Sequence, residues 1–268
     1  MPRLEVLSTQ PDLNPRPTPL LFIHGAWHGA WCWEEFFLPH FAANDYAAYA
    51  LSLRGHSGSP NDKALRFTGV WDYVADVAEV AGQIERETGK RPVVIGHSMG
   101  GYVVQKYLQK HTAPGAVLLA SIPSIGILPF SLRMLRQYPR RVLKMFVQLR
   151  AFPLIETPEL AKAHFFSADV PLSTVEKYHA RMQDEAFRIL LDGSLVNLPR
   201  PRRIQPTPML VIAAADDKVF TLAEEQATGK AYNTRTEVFP HIAHDVMLEP
   251  RWRDIADRVV SWLDEQGL

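Results

Sequence analysis

Cysteine is nearly missing from the 268 residues: Cys32 stands alone. No intrachain disulfide can form, so nothing in the chain demands an oxidising compartment. An excess of charge of one sign is missing too. The 29 basic and 29 acidic residues cancel, which removes any global pull toward nucleic acid or an anionic surface. No run approaches the ~18 apolar residues of a membrane span, and the opening MPRLEVLSTQPDLNPRPTP lacks the apolar core of a signal peptide. A cytoplasmic protein without stable membrane insertion is therefore expected. No Cys/His spacing suits zinc and no glycine-rich loop suits phosphate, so neither metal nor cofactor is expected. Internal repeats and low-complexity tracts are absent as well.

What the chain does contain is ordinary globular text, 47% hydrophobic and 22% charged, at a length suited to one large α/β domain or a core with an insertion. Short β-branched apolar runs alternate with helical periodicity. Strands are expected at Leu4–Leu7 (an edge), Leu20–Ile23, Tyr46–Leu53, Val93–Ile95, Ala116–Ala120, Pro208–Ala213 and Thr236–Phe239. Between them, helices are expected at Trp33–Ala43, Val70–Thr88, the stretch after Gly101, Leu222–Tyr232 and Trp252–Glu265. Pro11 to Pro19, with four prolines, should be an extended loop. This rhythm implies a mostly parallel sheet covered by helices on both faces. It lapses between residues 122 and 206, where the text is helical and carries nine prolines. The expected division is a core formed by residues 1–121 and 207–268, with 122–206 inserted as a helical cap.

The segment RPVVIGHSMGGYVVQKYLQKH, Arg91 to His111, carries the chemistry. A buried strand breaks at Gly96-His97-Ser98-Met99-Gly100 and a helix follows at once, the arrangement of a nucleophile elbow. The turn is tight enough that flanking side chains must nearly vanish, hence Gly96 and Gly100. A serine hydroxyl needs a base, and the base needs an orienting acid. Carboxylates at Asp216 and Asp217 follow one strand, and His241 and His244 follow the next, in the order acid then histidine.

At this point the chain resembles the α/β-hydrolase superfamily along nearly its whole length. Members carry Gly-x-x-Asp-x-x-Val after the acid strand. Alignment on Val219 makes Asp216 the acid, with Ala213 in place of the glycine and Asp217 in reserve. The family histidine follows a small residue and precedes an apolar stretch ending in Glu-Pro, which selects His244 within Ala243 to Pro250. The block HGAWHGAWCW is similar to plant-type methyl esterases and their hydroxynitrile lyase relatives. That resemblance implies an oxyanion hole from the Ala26 and Met99 N–H groups. Trp27 N–H is the second choice, and the Trp27 side chain a candidate substrate contact. Lyase chemistry is not expected, because Gly25 and Asp245 stand where the lyases carry threonine and lysine. His24, His56 and His97 read as structural, and Cys32 as a packed small side chain.

Residues 122–206 hold 13 Lys/Arg against 7 Asp/Glu, a net +6 that the remainder balances with −6. Six of these bases fall in FSLRMLRQYPRRVLKMFVQLRAF, interleaved with Leu, Met, Val and Phe. The stretch reads as a lid helix with an apolar face, or as a basic amphipathic surface that touches membranes transiently. Either favours an apolar acyl or aryl substrate. The expected activity is hydrolysis of small carboxylic esters through Ser98, His244 and Asp216. The alternatives are acyl transfer, thioester or lactone hydrolysis or carbon–carbon cleavage on the same scaffold, and a receptor-like ligand-binding protein with a slow triad.

Overall fold

A computed structural model describes residues 3–13 and 15–268; Met1, Pro2 and Asn14, within the stretches read above as an opening segment and a proline-rich loop, lie outside the described residues. In chain order the strands are β1 (Val6–Thr9), β2 (Leu20–Ile23), β3 (Ala48–Leu51), β4 (Val93–His97), β5 (Ala116–Leu119), β6 (Met209–Ala214) and β7 (Thr236–Phe239). They form one sheet in the order β1-β3-β2-β4-β5-β6-β7. Among these strands only β1 runs antiparallel, pairing Val6 with Leu51 and Thr9 with Ala48. β2, β4, β5 and β6 are buried at every residue, as strands covered on both faces must be.

The helices are α1 (Trp31–Glu34), α2 (Phe37–Ala43), α3 (Val70–Thr88), α4 (Met99–Tyr107), α5 (Leu128–Gln137), α6 (Pro139–Gln148), α7 (Pro158–Phe165), α8 (Leu172–His179), α9 (Phe187–Leu191), α10 (Leu222–Ala231) and α11 (Trp252–Gln266). α3 begins where the Asp72 carboxylate accepts the Gly69 N–H at 2.8 Å and ends at Gly89, whose φ is 73°. The single helix expected over Trp33–Ala43 is two helices. Pro39 has no N–H to give back to the preceding turn, so it fits only in the first turn of a new helix. Phe36, at φ −125°, is the break. The expected edge strand sits two residues late, at Val6–Thr9, while Leu4 is buried ahead of it.

Between β5 and β6 the described residues form α5 to α9 and no strand. The prolines there start helices: Pro139 and Pro158 are first residues of α6 and α7, and Pro129 is second in α5. The basic stretch meets no acid within itself but finds partners elsewhere. Arg133 makes two bonds to Glu224 on α10 at 2.6 and 2.9 Å, Arg141 and Lys144 share Glu156, and Arg150 reaches Asp184. Apolar side chains also stay open to water on α5 and α6, beside Arg136, Gln137, Arg140 and Gln148: Leu132, Leu135, Leu143, Phe146 and Val147 are all exposed. No helix among the described residues is long and apolar enough to cross a membrane.

Candidate active site

Ser98 sits between β4 and α4 at φ 50° and ψ −116°, a strained, positive-φ conformation for a residue with a Cβ. The neighbouring glycines are there because no side chain fits. A Cβ on Gly96 would lie 2.5 Å from the Gly100 carbonyl oxygen, and one on Gly100 would collide with the carbonyl oxygens of Ile23 and His24. The turn presents Ser98 at the C-terminal edge of the sheet, where open α/β sheets carry their sites.

His244 arrives from the loop after β7. Its Nε2 lies 2.9 Å from Ser98 Oγ, and its Nδ1 lies 2.7 Å from a carboxylate oxygen. That carboxylate belongs to Asp217, which corrects the expectation of Asp216. β6 runs one residue further than anticipated, to Ala214, and carries the acid one position along with it. The acid stands two residues before Val219 and not the three of the family pattern. Asp217 is also locked: its Oδ1 accepts the Val219 and Phe220 N–H groups at 2.6 and 3.1 Å, leaving Oδ2 for the imidazole. Asp216 contributes its backbone N–H to the Ile242 carbonyl, tying the acid loop to the histidine loop. His241 makes no contact with this cluster among the described hydrogen bonds.

The order of the chain thus becomes a line of hydrogen bonds. With Asp217 accepting at Nδ1, the proton of a neutral His244 sits on that nitrogen and Nε2 is free to take the serine proton. The Ala26 and Met99 N–H groups donate to no acceptor among the described hydrogen bonds. Met99 is the first residue of α4, where orphan N–H groups and the helix dipole favour negative charge.

The surroundings are tightly closed: Ser98 is 8% exposed and His244 2%. Phe220 packs 5.5 Å and Phe165 5.8 Å from the His244 ring, and Trp27 packs 5.6 Å from Phe165. Trp27, at φ 65°, has a buried indole N–H with no partner among the described residues. Phe165 and Phe220 were missed from sequence, for neither lies in a motif. His97 donates Nε2–H to the His244 carbonyl at 2.8 Å. Burial, then the nearby His244, pull its pKa down to about 3, so the ring is neutral. His24 likewise donates from Nδ1 to the Gly25 carbonyl and accepts the Leu53 N–H at Nε2. His56 faces Glu185 in a buried pair. These three rings hold loops in place, and Cys32 is packed in the core. His97, His244 and Asp245 lie close enough together to suggest a metal site. Both nitrogens of His244 and the Nε2 of His97 are already engaged, by Asp217, Ser98 and the His244 carbonyl. The donor set therefore does not suit a metal.

Comparison with known proteins agrees with this architecture. The model of the "Alpha/beta hydrolase family" matches residues 20–258. A monoacylglycerol lipase of Mycolicibacterium smegmatis is 24% identical over 262 residues, covering 94% of this chain and 90% of that protein. Among solved structures, a putative non-heme bromoperoxidase from Mycobacterium tuberculosis superposes with a TM-score of 0.76 at 19% identity, covering 98% of this chain and 96% of the other. A Paleococcus ferrophilus monoacylglycerol lipase gives 0.73 at 16% identity, covering 98% and 99%. At such identities the structural likeness speaks for the fold alone, but the family match spans most of the sequence. The chain belongs to the alpha/beta hydrolase family.

Proposed function

We propose that this protein is a serine hydrolase of carboxylic esters carrying an apolar acyl or aryl group. The observation that carries the proposal is the uninterrupted chain Ser98 Oγ, His244 Nε2, His244 Nδ1, Asp217 Oδ2, with steps of 2.9 and 2.7 Å on either side of the imidazole. Ser98 attacks the ester carbonyl while His244 takes its proton. The Ala26 and Met99 N–H groups bind the oxyanion, and the imidazolium returns its proton to the leaving alcohol. Water, activated by the same imidazole, then releases the acid. Lipase and esterase names among the relatives support an ester as the substrate.

The apolar character rests on the cap. A cavity of about 250 Å³ lies among α5, α6 and α9, walled by residues such as Phe130, Met134, Met145 and Phe187. Phe130 packs on Phe220, which packs on His244, so this apolar space connects by contact to the base. The exposed Leu and Phe of α5 and α6 extend the same surface outward. In this reading residues 122–206 are a lid, and its outer face makes transient contact with lipid surfaces that hold the substrate. Trp27 contacts the bound ester.

Ser98→Ala should lower kcat on p-nitrophenyl esters by about 10⁴–10⁶ with the fold intact. Turnover by that variant near the wild-type rate would remove the mechanism. Full fluorophosphonate labelling of Ser98 with negligible turnover across an ester chain-length series would favour a ligand-binding protein instead.

A further inference from the structure

Behind the oxyanion loop lies a pair that the serine-hydrolase reading has not used. His28 and Asp245 are both fully enclosed, at 1% and 0% exposure. His28 Nδ1 lies 2.7 Å from the Ala26 carbonyl oxygen, and its Nε2 lies 3.1 Å from Asp245 Oδ2. We infer that His28, held by Asp245, is a positioning residue that fixes the Ala26–Trp27 peptide and, through the Ala26 backbone it joins, the Ala26 N–H of the oxyanion hole before the ester arrives. The inference rests on the serine-hydrolase reading above.

A carbonyl oxygen only accepts, so His28 Nδ1 must carry a hydrogen. A carboxylate also only accepts, so Nε2 carries one too, and the ring is an imidazolium. Burial alone would strip that proton. The Asp245 charge and the two hydrogen bonds outweigh burial and hold the imidazole pKa above its ordinary value. Asp245 answers in kind: burial pushes its carboxyl up, and His28 more than reverses this.

The loop needs such holding. Trp27 sits at φ 65°, a conformation that costs free energy for a residue with a side chain. The turn from Gly25 to His28 is closed by a long backbone bond of 3.4 Å. The Gln183 N–H also donates to the Trp27 carbonyl at 3.0 Å, and two side chains hold the two peptides before it. His24 grips the Gly25 carbonyl at 2.7 Å, whose peptide plane carries the Ala26 N–H. His28 grips the Ala26 carbonyl, whose plane carries the Trp27 N–H. Asp245 follows His244 directly and anchors its N–H on the Phe165 carbonyl at 3.0 Å. One carboxylate therefore ties the oxyanion loop to the loop of the base. Its contribution is preorganisation, aimed at charge that appears only in the transition state.

The test uses the double substitution His28→Phe with Asp245→Ala. It keeps a ring to pack on Trp31 and Phe165 and leaves no unpaired buried charge, so folding should survive. Loss of a whole oxyanion donor costs about 10²–10³ in rate, so a displaced donor should cost about 10–100-fold in kcat, with KM unchanged. Affinity for a hexyl trifluoromethyl ketone, whose adduct with Ser98 places an oxyanion in the hole, should fall by the same factor. Asp245→Asn keeps a hydrogen bond to a neutral His28 and should recover most of the loss. A folded double variant with kcat within about twofold of wild type overturns the inference, as does a kcat loss without matching loss of ketone affinity. An active Ser98→Ala variant would instead sink the serine-hydrolase reading itself.

Should the double variant fail to fold, the thermal midpoint of Asp245→Asn decides. The other titratable groups around the pair are His24, His56, His97, His244, Cys32 and Glu249. They are common to both proteins and only His28 is hydrogen-bonded to the Asp245 side chain, so the largest pH-dependent difference belongs to His28. In the wild type His28 adds stability below its unfolded value of 6.5 and loses it as pH rises through the folded value. Without the carboxylate it no longer does. The midpoint gap should widen from about pH 8 to about pH 5.5, and a gap constant across that range overturns the pair.

Discussion

Replacing Asp217 by Asn should lower kcat by about 10⁴, although the substitution changes one heavy atom. The reason lies in how Asp217 is held. Its Oδ1 accepts two backbone N–H groups, from Val219 and Phe220. An asparagine that kept its oxygen there would turn its NH₂ toward His244 Nδ1. The opposite orientation would aim NH₂ at two N–H donors and orphan them, at about 1–3 kcal/mol each. The first orientation wins. Nδ1 of His244 must then accept, its hydrogen moves to Nε2, and the nitrogen facing Ser98 can no longer take a proton. This wrong tautomer costs about 10⁴ in serine proteases, about 5.4 kcal/mol of barrier at ~1.36 kcal/mol per decade. Steady-state kinetics on p-nitrophenyl butyrate would read it, with KM nearly unchanged. The matching control is Asp216→Asn, whose side chain makes no bond to the imidazole and which should stay within about threefold of wild type. If Asp217→Asn kept a tenth of the activity, or Asp216→Asn lost it, the assignment of the acid would be wrong.

Gly100→Ala should fail to give folded protein: the added methyl would collide with the backbone oxygens of Ile23 and His24, which cannot swing aside, a strain above about 3 kcal/mol, visible as insoluble expression. Glu185→Gln should destabilise most between about pH 5 and 6. Burial presses the His56 imidazole down, but the Glu185 carboxylate more than offsets it, so His56 contributes fully below 6.5 and fades as pH rises. Burial lifts Glu185 and His56 more than offsets that, so its share is complete above 4.5 and fades as pH falls. Thermal melts from about pH 4 to 9 should show a loss of about 3 kcal/mol or more near pH 5.5 that shrinks toward both ends; a flat difference would remove the ion pair. Leu143→Glu with Val147→Glu should weaken sedimentation with anionic vesicles while leaving hydrolysis of a soluble short-chain ester unchanged, and vesicle binding that survives would rule out the outer face of α6 as the contact.

The fold was legible because its signals are local. β2, α3 and β7 stand at the residues their patterns predict, since a buried strand such as β2 takes a continuous apolar run and an amphipathic helix imposes a repeat on the text. The errors fall where a boundary depends on something distant. Asp217 and Asp216 are chemically identical in sequence; only the extra residue of β6 and the turn after Ala214 decide which carboxylate meets His244. The basic run of α5 and α6 reads as unpaired because its acids, Glu156, Asp184 and Glu224, stand outside it, the last of them 91 residues from Arg133.

The same logic explains why the His28–Asp245 pair was invisible. His28 lies inside a block read for its resemblance, and Asp245 drew notice only as the residue standing where lyases carry lysine. Their partnership spans 217 positions, and no periodicity encodes a contact of that range. Yet the substitution had a physical signal. An aspartate inside the apolar stretch after His244 is a charge placed where the chain is about to be buried, and a buried charge requires a partner. Among the histidines that the sequence offers near the sheet edge, His24 and His97 are held neutral in their loops, and His56 is taken by Glu185. His28 is the cation left to meet Asp245, so the demand for neutrality in the core leads to the loop after β2, the one proposed above to hold the oxyanion.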